Sequence, residues 1–336
     1  MLKEFFNSRN NDEINKYIDI ATAILDIKHP VKYSHNGKYD NRYFITCLID
    51  FLKNHTYWRR YKGTPDFPIK GTYLNQIHNK YSKSGVYNDI HKEFVLRYLK
   101  KNKSKKIKIQ MTDTCFIQNQ EGSVKSEYNN KLLPAYIKKQ NKDIRKRNKA
   151  KKRRNRRKNK QNQEKMEREN TLINFNKYNG RKKYVKVTSI NNSFGCPLSP
   201  PFLVASKKSD SRVLKETIEN LSIDLGTLKN SDNNRYKQYF LADSGYDTNH
   251  NKKYLKRRGY IPIIAYNKRN TKDEKIIAAK QLSKKHKEIY KKRRIIESFF
   301  SWIKKFPIIN QVYQKKIVSH NGLLSLASSI LVFRHT

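Results

Sequence analysis

Tyr290, Arg293, Glu297 and Lys304 lie in a single run, Tyr290-Lys-Lys-Arg293-Arg-Ile-Ile-Glu297-Ser-Phe-Phe-Ser-Trp-Ile-Lys304. At about 100° per residue, the four fall within roughly 60° of one another on a helix. Ile295, Ile296, Phe299, Trp302 and Ile303 take the other side. Such a helix offers an apolar face to a core and an acid among cations to something else. A lone glutamate among cations is ordinarily a solvated ion-pair face, so further acids decide what the face can do. Two precede it. Asp243 ends an apolar stretch, Tyr236-Lys-Gln-Tyr-Phe-Leu-Ala-Asp243, and is followed by Gly245. Asp113 closes a second stretch in which Ile107, Ile109 and Met111 share one parity. Both stretches read as strands. Carboxylates supply negative charge and hard oxygens, the donors that magnesium prefers.

The spacing Tyr, two residues, Arg, three residues, Glu, six residues, Lys resembles the signature of one branch of DDE-type insertion-sequence transposases. The Ala242-Asp243-Ser-Gly245-Tyr-Asp247 setting is similar to the block around that family's second acid, and Asp113-Thr114 to its first. The resemblance implies a ribonuclease H-like fold, a mixed α/β sheet flanked by helices with the three acids meeting at one edge. It implies that Asp113, Asp243 and Glu297 are catalytic and hold two Mg2+ (or Mn2+), and that Tyr290, Arg293 and Lys304 contact DNA. Cleavage of a phosphodiester develops charge on the attacking and leaving oxygens, and two cations about 3.5–4 Å apart can stabilise both. The implied reaction is cutting at element ends, followed by transfer of the 3′ hydroxyl into target DNA. Asp247 is read as a turn or supporting residue.

Composition points the same way. The formal net charge is +47, from 75 Lys and Arg against 28 Asp and Glu. A balance this basic favours a polyanion, nucleic acid before an anionic membrane surface. No run of about 18 apolar residues occurs, and no signal-peptide core opens the chain. Cys47, Cys115 and Cys196 are scattered without metal-type spacing, which fits a reducing compartment and argues against a structural zinc. The expected location is an intracellular compartment holding DNA: a bacterial cytoplasm, a nucleus or a viral factory.

Several elements must position the acids. Residues 1–100 read as a helical N-terminal DNA-binding region, with helices over 12–25, 43–52, 73–81 and 91–100, and Pro65 and Pro68 breaking the pattern. Phe51 to Arg60 and Ser84 to Tyr87 are similar to the family's N-terminal helices, which contact element ends. Residues 101–336 read as the catalytic domain, interrupted by a basic insertion at about 118–176. Within it, residues 138–160 hold fifteen Lys and Arg against one acid, Asp143. Arg153, Arg154, Arg156 and Arg157 are its densest cations and are expected on DNA. With almost no apolar residue, the stretch is expected not to fold alone. Beyond it come a strand over 180–190, a proline-bearing hairpin partner over 195–205, a helix from Asp210 to Leu228, the Asp243 strand, a short helix stopped by Gly259, a strand over 260–266, the long Glu297 helix and an apolar closing helix over 321–333.

The favoured reading is a transposase acting on double-stranded DNA, at terminal inverted repeats and at target sites, as a homodimer that brings two ends together. The alternative is a catalytically inactive, transposase-derived DNA-binding protein. A basic RNA-binding protein is a third class, with no recognisable RNA module behind it.

Overall fold

The computed structural model describes residues 11–30, 39–102, 108–119, 174–175, 183–205, 208–223, 225, 237–271, 273–312 and 316–336. Arg153, Arg154, Arg156 and Arg157 lie outside the described residues, as does all of 138–160.

Four helices come first: α1 (Asn11–Lys28), α2 (Asn41–Asn54), α3 (Gly71–Ser84) and α4 (Val86–Asn102). Asp40 caps α2, its carboxylate accepting from the Tyr43 N–H at 2.6 Å. Gly85 separates α3 from α4 at φ +75°, a conformation open to glycine at little cost. Trp58 stacks on Phe51, with ring centroids 3.8 Å apart, and covers the inner side of α2. Arg59 and Arg60, next to Trp58, stay exposed.

The sheet has the order β2-β3-β1-β5-β6 and comprises β1 (Ile109–Asn119), β2 (Asn174–Phe175), β3 (Lys183–Asn192), β5 (Gln238–Ala242) and β6 (Tyr260–Ile264). In addition, β4 (Phe202–Val204) pairs with β3, and β7 (Gln311–Val312) pairs with β1. β3 runs antiparallel to β1, with Gln110 opposite Asn192 and Gln118 opposite Tyr184. β5 and β6 are parallel to their neighbours. Pro262 sits in β6, which among the described residues pairs only with β5, an edge position that tolerates proline.

Helices cover both faces: α5 (Asp210–Glu219), α6 (Asn249–Arg257), α7 (Glu274–Ala279), α8 (Lys284–Lys291), α9 (Ile295–Ile303), α10 (Pro307–Asn310) and α11 (Ile317–Phe333). This is the mixed α/β sheet with a helical N-terminal region that the sequence led us to expect. α11 is buried on every side, so it needs cover all round. α3 and α4 supply most of this cover, and β4, α9, α10 and Tyr17 of α1 add to it. Two polar groups of α11 are satisfied across that contact, the Ser319 carbonyl by His78 Nε2 at 2.9 Å and Ser325 Oγ by Asn88 Oδ1 at 2.8 Å, whereas both His320 ring nitrogens and Ser328 Oγ are buried without a hydrogen-bond partner among the described residues. The buried core therefore runs unbroken from Tyr17 to Val332.

Three elements differ from their sequence expectations. β1 does not end at Asp113 but continues to Asn119, because nine residues of it find partners in β3. α5 ends at Glu219, where the Asn220 N–H closes back on the carbonyls of Glu216 and Ile218. The long Glu297 helix is two helices, α8 and α9, joined by a tighter 3-10 turn over Lys292–Arg294. Its linking residues keep right-handed helical backbone, so the faces stay in phase.

Candidate active site

Pairing between β1 and β5 stops at Met111 and Leu241. β1 then meets β7 at Gln118 and Asn119. From Thr112 to Ile117 the edge of β1 facing away from β3 has no strand partner among the described residues. Asp113 and Asp243 each stand two residues beyond the last pair, at the mouth of this opening. Residues opposite one another in parallel strands share a face, and Asp243 keeps extended backbone, so the two acids lie side by side.

α9 presents the third acid to the same place. Ile296, Phe299 and Ile303 are fully buried and anchor the helix, each contributing roughly 1.5–3 kcal/mol. Opposite them, Arg293 Nη1 donates to Asp113 Oδ2 at 2.6 Å, and Arg293 Nη2 lies 3.6 Å from Glu297 Oε1. The guanidinium is also 5.9 Å from the centroid of the Tyr290 ring. Burial works against its charge, but Asp113, Tyr290, Asp243 and Glu297 outweigh that and raise its pKa. Lys304 is half-buried just past the end of α9, close enough to Cys115 on β1 to draw that thiol down while burial pushes it up to about 12.

The acids differ in surroundings. The Asp113 side chain is 21% exposed, and its Oδ1 accepts from the Thr114 N–H at 2.8 Å. Burial pushes its carboxyl up to about 6; Asp243 and Asp210 push the same way, against the Thr114 N–H and Arg293. Asp243 accepts from the Ser244 N–H at 2.7 Å and caps the turn Ser244–Tyr246. Glu297 is 62% exposed. Asp247 is a supporting residue of the turn: it pairs with Lys252 at 2.5 Å and accepts from the Asn267 N–H at 2.9 Å.

As the side chains stand, no group of three or more acidic, His or Cys residues among the described residues is close enough to hold a metal ion. Arg293 occupies the space between Asp113 and Glu297. The donor set still suits a divalent cation in kind. It is carboxylate oxygen throughout, and the Asp113 carboxyl stays raised by burial and by Asp243 and Asp210 even with Arg293 paired to it.

Residues 173–332 match the family described as the transposase DDE domain. The chain carries a transposase DDE domain. Asp243, Tyr290, Arg293, Glu297 and Lys304 fall within the matched residues, and Asp113 lies before them. No curated protein and no solved structure matches the chain. The mixed sheet flanked by helices is consistent with the ribonuclease H-like fold of DDE transposases, a family that generally uses divalent metal ions. No described helix is long and apolar enough to cross a membrane.

One acid near this site escaped sequence reasoning. Asp210, the first residue of α5, touches the strand of Asp113 through Thr114 and pairs with the buried Lys186. A charged residue in the otherwise apolar strand Tyr184-Val-Lys186-Val was the available signal.

Proposed function

We propose that this DDE domain cuts DNA at the ends of a mobile element and joins the freed 3′ hydroxyl to target DNA. The observation that supports this most is the convergence at Arg293. Acids from β1, the exit of β5 and α9 all act on one guanidinium, at the opening in the β1 ladder. Asp113, Asp243 and Glu297 are the residues that would hold a pair of Mg2+ or Mn2+. Bound there, such ions supply the positive charge that both oxygens of an in-line phosphoryl displacement require.

The chain's own cations have a separate task. Arg293 offers a planar fork matched to two phosphate oxygens, and Lys304 a point charge on the same side. Tyr290 gives a half-buried ring beside them. These three would hold the DNA strand while the apolar face of α9 keeps the helix fixed on the sheet. Arg153, Arg154, Arg156 and Arg157 would add contacts to the phosphates of duplex DNA. Two element ends must be brought together, which asks for a dimer in the DNA complex.

The deciding experiment is a cleavage assay with Mg2+ or Mn2+ on duplexes carrying the inverted repeats that flank the reading frame. Strand cutting that depends on both the metal and the repeats supports the proposal. The seat of Arg293 on Asp113 favours one other reading, a DNA-binding descendant with no cutting activity. Repeat-specific binding without cutting under any divalent ion would establish that reading instead. Deleting 138–160 should weaken binding to all sequences alike and flatten its salt dependence, because phosphate contacts release counterions.

A further inference from the structure

The Lys186 side chain is only 7% exposed, in the middle of the sheet. Its ammonium donates to Asp210 Oδ1 at 2.9 Å and to the Lys208 carbonyl at 2.9 Å, and it lies 5.5 Å from the centroid of the Phe116 ring. The same Asp210 Oδ1 accepts from the Thr114 hydroxyl at 3.0 Å. Thr114 follows Asp113 in β1, and its backbone N–H holds Asp113 Oδ1. On its other side Asp210 abuts Gly245, two residues after Asp243; a Cβ placed there would come within 3.2 Å of Asp210 Oδ2. One carboxylate therefore touches both acid-bearing segments, β1 through Thr114 and the exit of β5 through Gly245.

A buried ion pair is a poor way to stabilise a core, since well-packed apolar residues of similar volume often serve as well or better. What it does supply is direction. A carboxylate held by an ammonium has one orientation, and it passes that orientation to whatever donates to it. Nothing in the DDE chemistry described above uses this pair.

We propose that Lys186 and Asp210 are positioning residues for the metal-holding site, which act through the Thr114 hydroxyl to fix the part of β1 that carries Asp113. The inference rests on the reading that Asp113 holds a metal, but its first consequence, an ordered β1, does not. Among the described residues, β1 has a strand neighbour on one side only along this stretch, so the clamp replaces the order that a second neighbour would give.

The test uses the full chain and two isosteric changes. Thr114→Val removes the hydroxyl donor and keeps the shape, whereas Thr114→Ser keeps the donor. The double change Lys186→Met with Asp210→Leu removes both charges together and leaves neither unpaired. Amide hydrogen exchange at Asp113 to Phe116 reads the order of β1, and Mn2+ titration without DNA reads the site. For Thr114→Val and the double variant we expect melting temperatures near the parent's, exchange at these amides faster by about tenfold, and Mn2+ affinity weaker by about 10–100-fold, as when support of a metal ligand is lost. Thr114→Ser should restore both. Unchanged exchange in a folded double variant would overturn the proposal, as would Thr114→Ser behaving like Thr114→Val. If the exchange differences appear in a parent chain that binds no Mn2+ and cuts no DNA, the active-site reading fails and the clamp on β1 stands.

Discussion

Two cation–carboxylate clusters flank β1, one on each face, and they are built to different ends. On one face Lys186 is buried under α5 against Asp210, itself 34% exposed, and the ammonium has protein oxygens to satisfy it. On the other, Arg293 sits between Asp113 and Glu297, with Glu297 largely in water. The same two charges cost more and move less in the first setting, because exchange of a partner would mean rehydrating an ion inside the sheet. In the second, solvent reaches Glu297 while Asp113 is largely buried, so another cation would approach Arg293's place from the Glu297 side. Burial of the cation on one side, and the exposed Glu297 on the other, separate a cluster that holds the frame from one that is open to a ligand.

The largest effects should fall on the open side, in function. Asp243→Asn and Glu297→Gln are each expected to lower metal-dependent strand cutting by at least about a thousandfold, with DNA affinity unchanged or higher, since a charge that repels phosphate is gone. Cutting at the parent rate by Asp243→Asn would remove the acid reading of this edge. The closed side should respond in stability. Asp210→Asn alone leaves the Lys186 ammonium buried without its counter-ion, for a loss of about 3 kcal/mol in urea unfolding. Arg293→Gln is expected to cost less, about 1–2 kcal/mol, because Glu297 stays in water and Asp113, with its raised pKa, can take up a proton in place of the lost cation. Equal losses at the two positions would erase the contrast drawn here.

A pH series sharpens it further. The Asp113 carboxyl, raised from 3.8 to about 6 in the fold chiefly by burial, keeps its proton in the folded chain where the unfolded chain has lost it. For this group, stability is greatest below about pH 4 and falls as pH rises through about 6. Asp113→Asn does not titrate. Its stability relative to the parent should therefore climb between pH 4 and 6 and then level off, by at most about 3 kcal/mol. A flat difference across that window would show that Asp113 is already relieved by its neighbours. The smallest effect is expected at Lys291→Gln, whose pair with Glu288 is about 70% exposed on both sides. A change under about 0.5 kcal/mol is expected, as for other exposed pairs.

How much of this could be read from the chain depends on the range of each interaction. The Tyr290, Arg293, Glu297 and Lys304 face was legible because helical phase is a local property, and the 3-10 turn at Lys292–Arg294 did not disturb it. The Asp243 turn was legible from a short apolar run and Gly245. The end of β1 was not, since Thr114 to Asn119 become strand only by pairing with β3, after an intervening stretch whose length carries no pairing signal. Lys186 and Asp210 were out of reach for the same reason. Nothing local says that a lysine in one strand will meet the first residue of a later helix. The all-round burial of α11 follows from its apolar composition, but the partner that covers it does not.

β1 borrows every one of its neighbours from far along the chain. The contact between Arg293 and Asp113 spans 180 positions, and the hydroxyl of Thr114 reaches a carboxylate 96 positions away. The helices, by contrast, close their hydrogen bonds within four residues. Local contacts form early and distant ones late, so this chain is expected to gain most of its helix content before the acids become neighbours. Mild denaturation should run the sequence backwards: the reactive edge comes apart while far-ultraviolet circular dichroism still reports a nearly full complement of helix. A preparation judged by that signal alone can therefore pass as folded after it has lost the place where DNA would be cut.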